Sequence, residues 1–201
     1  IGEHPPRTAF RLPPATVFVG RVVAADGRPI GAAEVQFLSK EYFDDPGQGR
    51  NAVTNETGVF TISGLGPWDH QFVFVSAAGY GLTICAMADL LEAPGWLTDI
   101  VLEPAATVEG RVADARGIGV VNAHVRAPLR IEQSSGESWP LPDLGPSTRT
   151  DENGYYQLSG LPAGSVSISV FSDEAHGIGR KLVDLASGET EMLDFVDDSG
   201  P

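Results

Sequence analysis

Apolar and polar residues alternate along much of this chain with a period of two, not 3.6. In Val108-Glu109-Gly110-Arg111-Val112 every second position is apolar or small, as a half-buried strand requires. Phe18, Gly20 and Val22 take the inward positions of a similar segment, and Val35 with Phe37 continues the pattern, as does Ala123 with Val125. Phe60 and Ile62 correspond to Tyr156 and Leu158, and Phe72 and Phe74 to Ile168 and Val170. Ile100 with Leu102 and Leu193 with Phe195 read as closing strands. Between these segments stand Asp26-Gly27, Gly58, Gly64, Arg116-Gly117, Gly154 and Gly160, the turn chemistry of antiparallel hairpins. Short strands with turns at such intervals predict an all-β sandwich. The one helical candidate is Met87 to Glu92.

The alternation occurs twice. FVGRVVAADGRPIGAAEV, from Phe18, aligns at a shift of 90 with VEGRVADARGIGVVNAHV, from Val108. TNETGVFTISGL, from Thr54, aligns at a shift of 96 with TDENGYYQLSGL, from Thr150. The difference of six predicts an insertion in one loop of the second copy. A tandem duplication follows, with repeat 1 over residues 15–104, repeat 2 over 105–196 and a solvated tail over 197–201. Each unit has about the length at which one sandwich folds alone. Residues 1–14 read as a linker, or as the last strand of a preceding repeat, because LEPAATVEGRV before copy two parallels LPPATVFVGRV before copy one. The start at Ile1, without a leader pattern, suggests a piece of a longer protein.

Three motifs in this order carry a resemblance: Gly20-Arg21-Val22 with Gly27 and Pro29-Ile30, then T-x-E-x-G-x-F-x-I-x-G-L from Thr54, then Ala78-Gly79-Tyr80. The sequence resembles the carboxypeptidase regulatory-like domain, twice over nearly its whole length. The resemblance implies two tandem seven-stranded, Greek-key-like sandwiches of the transthyretin (prealbumin) type. It also implies a non-catalytic accessory module of an exported protein. Copy two departs from the pattern at His176, which stands where copy one has Tyr80, and at Gly119, where copy one has Pro29.

Composition narrows the partners. Thirteen Lys and Arg against 27 Asp and Glu give a net charge of −14, which disfavours nucleic acid and anionic lipid. No apolar run approaches the roughly 20 residues of a membrane span. The single Cys85 rules out an intrachain disulfide or a multi-cysteine metal site, and no cofactor is expected.

Candidate chemistry is sparse. None of His4, His70, His124 and His176 has a Glu three residues on, so the zinc-carboxypeptidase ligand pair is missing. His124 is expected at the surface beside Arg126, and His176 to pack at a strand end. Intradiol dioxygenases share the early glycine pattern, but no H-x-H follows here, and Tyr155 and Tyr156 should face opposite sides of a strand. The Tyr-Arg-Gly-Ser ending of transthyretin-like hydrolases is absent. Pilin-type sandwiches with a turn like Gly160-Leu161-Pro162-Ala163-Gly164 can form Lys–Asn crosslinks, yet Arg21 and Arg111 occupy the first strands here. A guanidinium is no amine nucleophile at ordinary pH.

Asp151-Glu152-Asn153-Gly154 reads as a hairpin turn whose Asp caps backbone N–H groups, and Asn55-Glu56-Thr57-Gly58 as the same turn without that carboxylate. A calcium site, if one exists, belongs chiefly at Glu41–Asp45. Trp68 and Trp96 read as core caps. The loops that hold Tyr42 and Phe43 in copy one and Trp139 in copy two (Pro128 to Ser147) are the best ligand-contact surfaces. The function expected is that of a spacer, scaffold or adhesion unit bound to neighbouring domains, extracellular protein or glycan. The alternative is a carbohydrate-binding module of a secreted enzyme.

Overall fold

The computed structural model describes residues 16–38, 50–65, 72–87, 90, 98–132, 138–141, 145–172 and 176–198. Repeat 1 contains β1 (Thr16–Ala24), β2 (Glu34–Leu38), β3 (Arg50–Val53), β4 (Val59–Leu65), β5 (Phe72–Ser76), β6 (Thr83–Ala86) and β7 (Thr98–Leu102). They form a three-stranded sheet in the order β4-β1-β7 and a four-stranded sheet in the order β3-β2-β5-β6. Repeat 2 begins with β8 (Ala106–Asp114), β9 (His124–Arg126), β12 (Ser147–Arg149) and β13 (Tyr155–Leu161). It continues with β14 (Gly164–Phe171), β15 (Gly177–Leu185), β16 (Thr190–Met192) and β17 (Phe195–Asp197). Its sheets run β13-β8-β16, with β17 also on β8, and β12-β9-β14-β15. The stretch between β9 and β12, where the insertion is predicted, holds a small hairpin, β10 (Leu129–Glu132) with β11 (Ser138–Leu141).

Each repeat buries its own core, one around Val22, Phe60 and Leu102, the other around Val112, Leu158 and Phe195. The inward alternation holds in β8, where Val108, Gly110 and Val112 are buried between half-exposed neighbours. It also separates Tyr155, exposed, from Tyr156, buried. One feature was beyond alternation: the closing strand runs parallel to the opening one, β7 on β1 and β16–β17 on β8.

The expected pairing of Phe72 and Phe74 with Ile168 and Val170 is off by one residue. Val75 lies opposite Val35, as Val170 lies opposite Val125, and Val73 and Val75 join the core. Phe72 and Phe74 point to the other face of the sheet and are buried there as well. A strand buried on both sides reads as an unbroken apolar run, so periodicity cannot choose its inner face. His176 is a second correction. It is exposed just before β15, whereas Tyr80 packs against core 1. Met87 and Leu90, the described residues of the expected helix, are helical and buried. Phe10-Arg11-Leu12, Trp68 and Trp96 lie outside the described residues.

The shared motifs acquire mechanical roles. Thr54 and Thr150 are buried, and each hydroxyl ties two backbone groups. Thr54 Oγ1 accepts from Ala33 N–H at 2.8 Å and donates to Ile30 O at 2.7 Å. Thr150 Oγ1 does the same with Ala123 N–H and Val120 O at the same distances. The turn after each threonine is capped by its neighbour: Asn55 Oδ1 accepts from Thr57 and Val59 N–H, and Asp151 Oδ1 from Asn153 and Tyr155 N–H. Amide and carboxylate oxygens are interchangeable for this purpose, so the turn architecture is duplicated while its charge is not.

Candidate functional site

The linker between the repeats is a three-residue stretch, and hydrogen bonds hold it from both sides. Gly81 N–H donates to Glu103 O at 2.9 Å and Ala105 N–H to Gly79 O at 3.0 Å, with Tyr80 opposite Pro104. Pro104 O in turn accepts from Gly188 N–H of repeat 2 at 3.1 Å. Leu82 N–H donates directly across the boundary to Gly160 O at 3.2 Å. Glycine is needed at Gly81, because a Cβ there would stand 2.8 Å from Leu161 O. Gly79 and Gly160 both adopt φ of 81°, a conformation that L side chains rarely take. The Gly160-Leu161-Pro162 turn thus meets the Gly79–Leu82 segment of repeat 1, while Gly188 holds the linker at Pro104.

This joint leaves a crevice of about 670 Å³ between the repeats, lined by Leu82 and Ile84 of repeat 1 and by Pro146, Pro162, Arg180 and Leu182 of repeat 2, among others. A smaller groove of about 380 Å³ shares Leu82, Ile84 and Pro162 with it and is also lined by Val101 and Glu103. Ala127 and Pro128 enter the long loop of copy two and Pro146 leaves it, with Ala127 N–H bonded to Pro146 O at 3.0 Å. All three line the crevice, so the β10–β11 hairpin rises from its rim.

Of the ligand-contact residues expected from the sequence, Trp139 lies in β11 of this hairpin, its backbone opposite Ile131. Tyr42 and Phe43 lie outside the described residues, as does the Glu41–Asp45 segment considered for calcium. Sequence reasoning missed Leu82, Ile84 and Arg180, which meet only across the repeat boundary. The available signal was the pair of glycines flanking Tyr80, a backbone left bare for close approach.

Titratable groups near the first strands serve structure. Arg21 of β1 makes a two-pronged contact with Asp99 of β7, its Nε and Nη2 at 2.8 and 2.7 Å from the two carboxylate oxygens. The hydrogen bond from Arg21, then its charge, hold the Asp99 carboxyl below the usual range. Arg111 instead donates to Asn153 O and Gly117 O, tying two turns together. Burial, and after it the Asp194 carboxylate, push the Tyr156 phenol well above its ordinary pKa. Its hydroxyl donates to Leu193 O, in the break between β16 and β17. Among the described residues no three His, Cys, Asp or Glu side chains are gathered as a metal site would need.

The carboxypeptidase regulatory-like domain model matches residues 17–85 and again residues 107–196. The chain belongs to this family. Its two carboxypeptidase regulatory-like domains find no match among curated proteins. Among solved structures, the Bacillus anthracis TIE protein is 11% identical over 92% of this chain, with a TM-score of 0.33. A streptococcal ancillary pilin is 15% identical over 91% (TM-score 0.32). The minor pilin GBS52 of Streptococcus agalactiae is 13% identical over 92% of this chain and 98% of its own (TM-score 0.35). The chain spans 34% of the TIE chain and 62% of the ancillary pilin.

Proposed function

We propose that the two carboxypeptidase regulatory-like domains, residues 15–104 and 105–196, form a stiff, non-catalytic spacer or scaffold within a larger exported protein. Contacts with partners are made at the crevice between them and by the loops that hold Tyr42, Phe43 and Trp139. Export rests on the family resemblance alone. The observation that supports stiffness is the joint: a linker of three residues bonded on one side to Gly79 and Gly81 and on the other to Gly188, with Leu82 bonded to Gly160. Domains joined by a small polar contact ordinarily reorient, so hydrogen bonds along the linker itself are what a fixed angle requires.

Backbone ¹⁵N relaxation on the intact chain tests the reading. Both repeats should report one overall tumbling time, and distinct times for the two halves would overturn it. Gly81→Val should drive the repeats apart, because its Cβ meets the Leu161 carbonyl. The two halves should then tumble separately while each keeps its dispersed amide spectrum.

A further inference from the structure

In a chain of net charge −14, one sheet face is basic. On the outward face of β12-β9-β14-β15, Arg126, Ser169 and Arg180 are register partners and form one cross-strand row. Arg149 lies opposite His124, and His124 opposite Phe171, in the adjoining row. The Arg126 guanidinium stacks 4.3 Å from the centre of the Phe171 ring, and its buried Nε has no hydrogen-bond partner. Arg180 Nε donates to Ser167 Oγ at 2.6 Å, and Arg149 Nη1 to Asn122 O at 3.0 Å. Among the described residues the ion pairs are Arg21–Asp99, Arg28–Asp26 and Arg116–Asp114, so these three arginines meet no carboxylate there. Asp184, on the same face of β15, is four residues from Arg180, about 13 Å along an extended strand.

The equivalent row of repeat 1 is Gln36, Phe74 and Ile84. Ile84 and Arg180 hold matching places in the two sheets, and both line the crevice. The repeat 1 wall is therefore aliphatic, with Leu82 and Ile84, and the repeat 2 wall sets the Arg180 guanidinium and the hydroxyls of Ser165 and Ser167 among Leu182, Pro146 and Pro162.

We infer that this crevice is the docking groove for an extended acidic peptide of a partner protein, running along β15. A carboxylate would meet Arg180, Arg126 would add its charge from beyond Ser169 in the same cross-strand row, and a neighbouring aliphatic side chain would rest on Leu82 and Ile84. Charge complementarity selects the class. Guanidinium forks suit carboxylates, and the aliphatic wall suits a hydrophobic side chain. Glycans prefer aromatic platforms, and the described lining has none. A long polyphosphate would be repelled by the rest of the surface. The reading rests on the fixed joint for its Leu82–Ile84 wall, whereas the arginine row belongs wholly to repeat 2.

The test uses the intact chain and a fluorescein-labelled peptide of alternating Glu and Val, about eight residues long, enough to follow a strand of this length. Its Gln–Val counterpart and a uronic-acid oligosaccharide are the comparison probes, and fluorescence anisotropy is the readout. The Glu–Val peptide should bind saturably and lose affinity by about tenfold or more in Arg180→Gln, or when salt is raised from about 0.05 to 0.5 M. Arg126→Gln should act likewise if it folds. Arg28→Gln and Arg116→Gln, on exposed turns elsewhere, should bind as the parent does. Amide shift changes in the unmodified chain should fall on β6, β14 and β15, which needs no variant to fold. The proposal is overturned by absence of saturable binding, by equal binding of the Gln–Val peptide, by tighter binding of the oligosaccharide, or by shift changes elsewhere. The relaxation measurement reports the joint separately, so loss of binding with one tumbling time defeats the groove and leaves the spacer standing.

Discussion

The two buried threonines offer the sharpest test of how each repeat is held together. Thr54→Val keeps the shape of the side chain and removes only the hydroxyl. Ala33 N–H and Ile30 O then lose the partner they share, in a place closed to water, since Ala33 and Thr54 are both buried. A buried donor or acceptor left unmatched costs about 1–3 kcal/mol. With the carbonyl at the low end of that range, Thr54→Val should cost about 2–4 kcal/mol. For a unit of about 90 residues this lowers the melting temperature by roughly 10 °C or more. Thr54→Ser retains the hydroxyl, loses one methyl, and should cost about 1 kcal/mol.

Thr150 makes the same two contacts in repeat 2, so Thr150→Val should have the same magnitude there. Because the two threonines serve separate cores, the double variant should be additive within about 0.5 kcal/mol. Urea unfolding followed through amide resonances of each repeat gives both numbers. Either Val variant staying within about 0.5 kcal/mol of the parent, or Ser being as damaging as Val, would refute the role given to the hydroxyl.

Close backbone approach and burial lead to two further outcomes. A methyl added at Gly110 would run into the backbone carbonyl of Leu193, whereas at Gly20 it would meet the tip of the Phe60 ring, which can yield only by disturbing the Phe18 and Phe37 rings packed against it. Gly110→Ala should therefore cost about 3 kcal/mol and Gly20→Ala about 2, and the reverse order in chemical denaturation would refute the assignment. Tyr156 has its pKa raised, first by burial and then by Asp194, so the fold favours the neutral phenol. The stability this contributes is intact below about pH 10 and drains away as pH rises past the unfolded phenol's pKa toward the folded one. Repeat 2 should weaken as pH is raised from about 10 to about 12 in the parent, and less in Tyr156→Phe; parallel pH profiles for the two would count against it.

What could be read in the sequence divides along physical lines. Strands with one wet face announce themselves by alternation, so β1, β4, β8 and β13 and their inward residues were legible. The turns were legible too, because Asn55, Asp151 and glycines at positive φ are the residues that such backbone geometry admits. Phe72-Val73-Phe74-Val75 was misread because burial on both faces erases the period. The parallel closure by β7 and the break at Leu193–Asp194 depend on contacts between distant segments, which no local pattern encodes. The crevice was invisible for a related reason. Leu82 and Arg180 are far apart in the chain, and neither carries a motif.

Duplication supplies a way to separate scaffold from function without any other sequence. Both copies keep Gly20 and Gly110, Thr54 and Thr150, and the capped turns at Asn55 and Asp151. Each of these makes matching contacts in both copies or occupies a position where a side chain would clash. Residues required by the sandwich itself should recur in this way, since both copies face the same physical problem. The outward row of the four-stranded sheet does not recur: Gln36, Phe74 and Ile84 in one copy stand where Arg126, Ser169 and Arg180 stand in the other. A sandwich tolerates either row, so folding does not choose between them. The joint brings Ile84 of one row and Arg180 of the other to opposite walls of the same crevice. Two copies that differ where they confront one another make an asymmetric groove, aliphatic on one side and carrying a guanidinium among apolar and hydroxyl side chains on the other, that neither repeat could form alone.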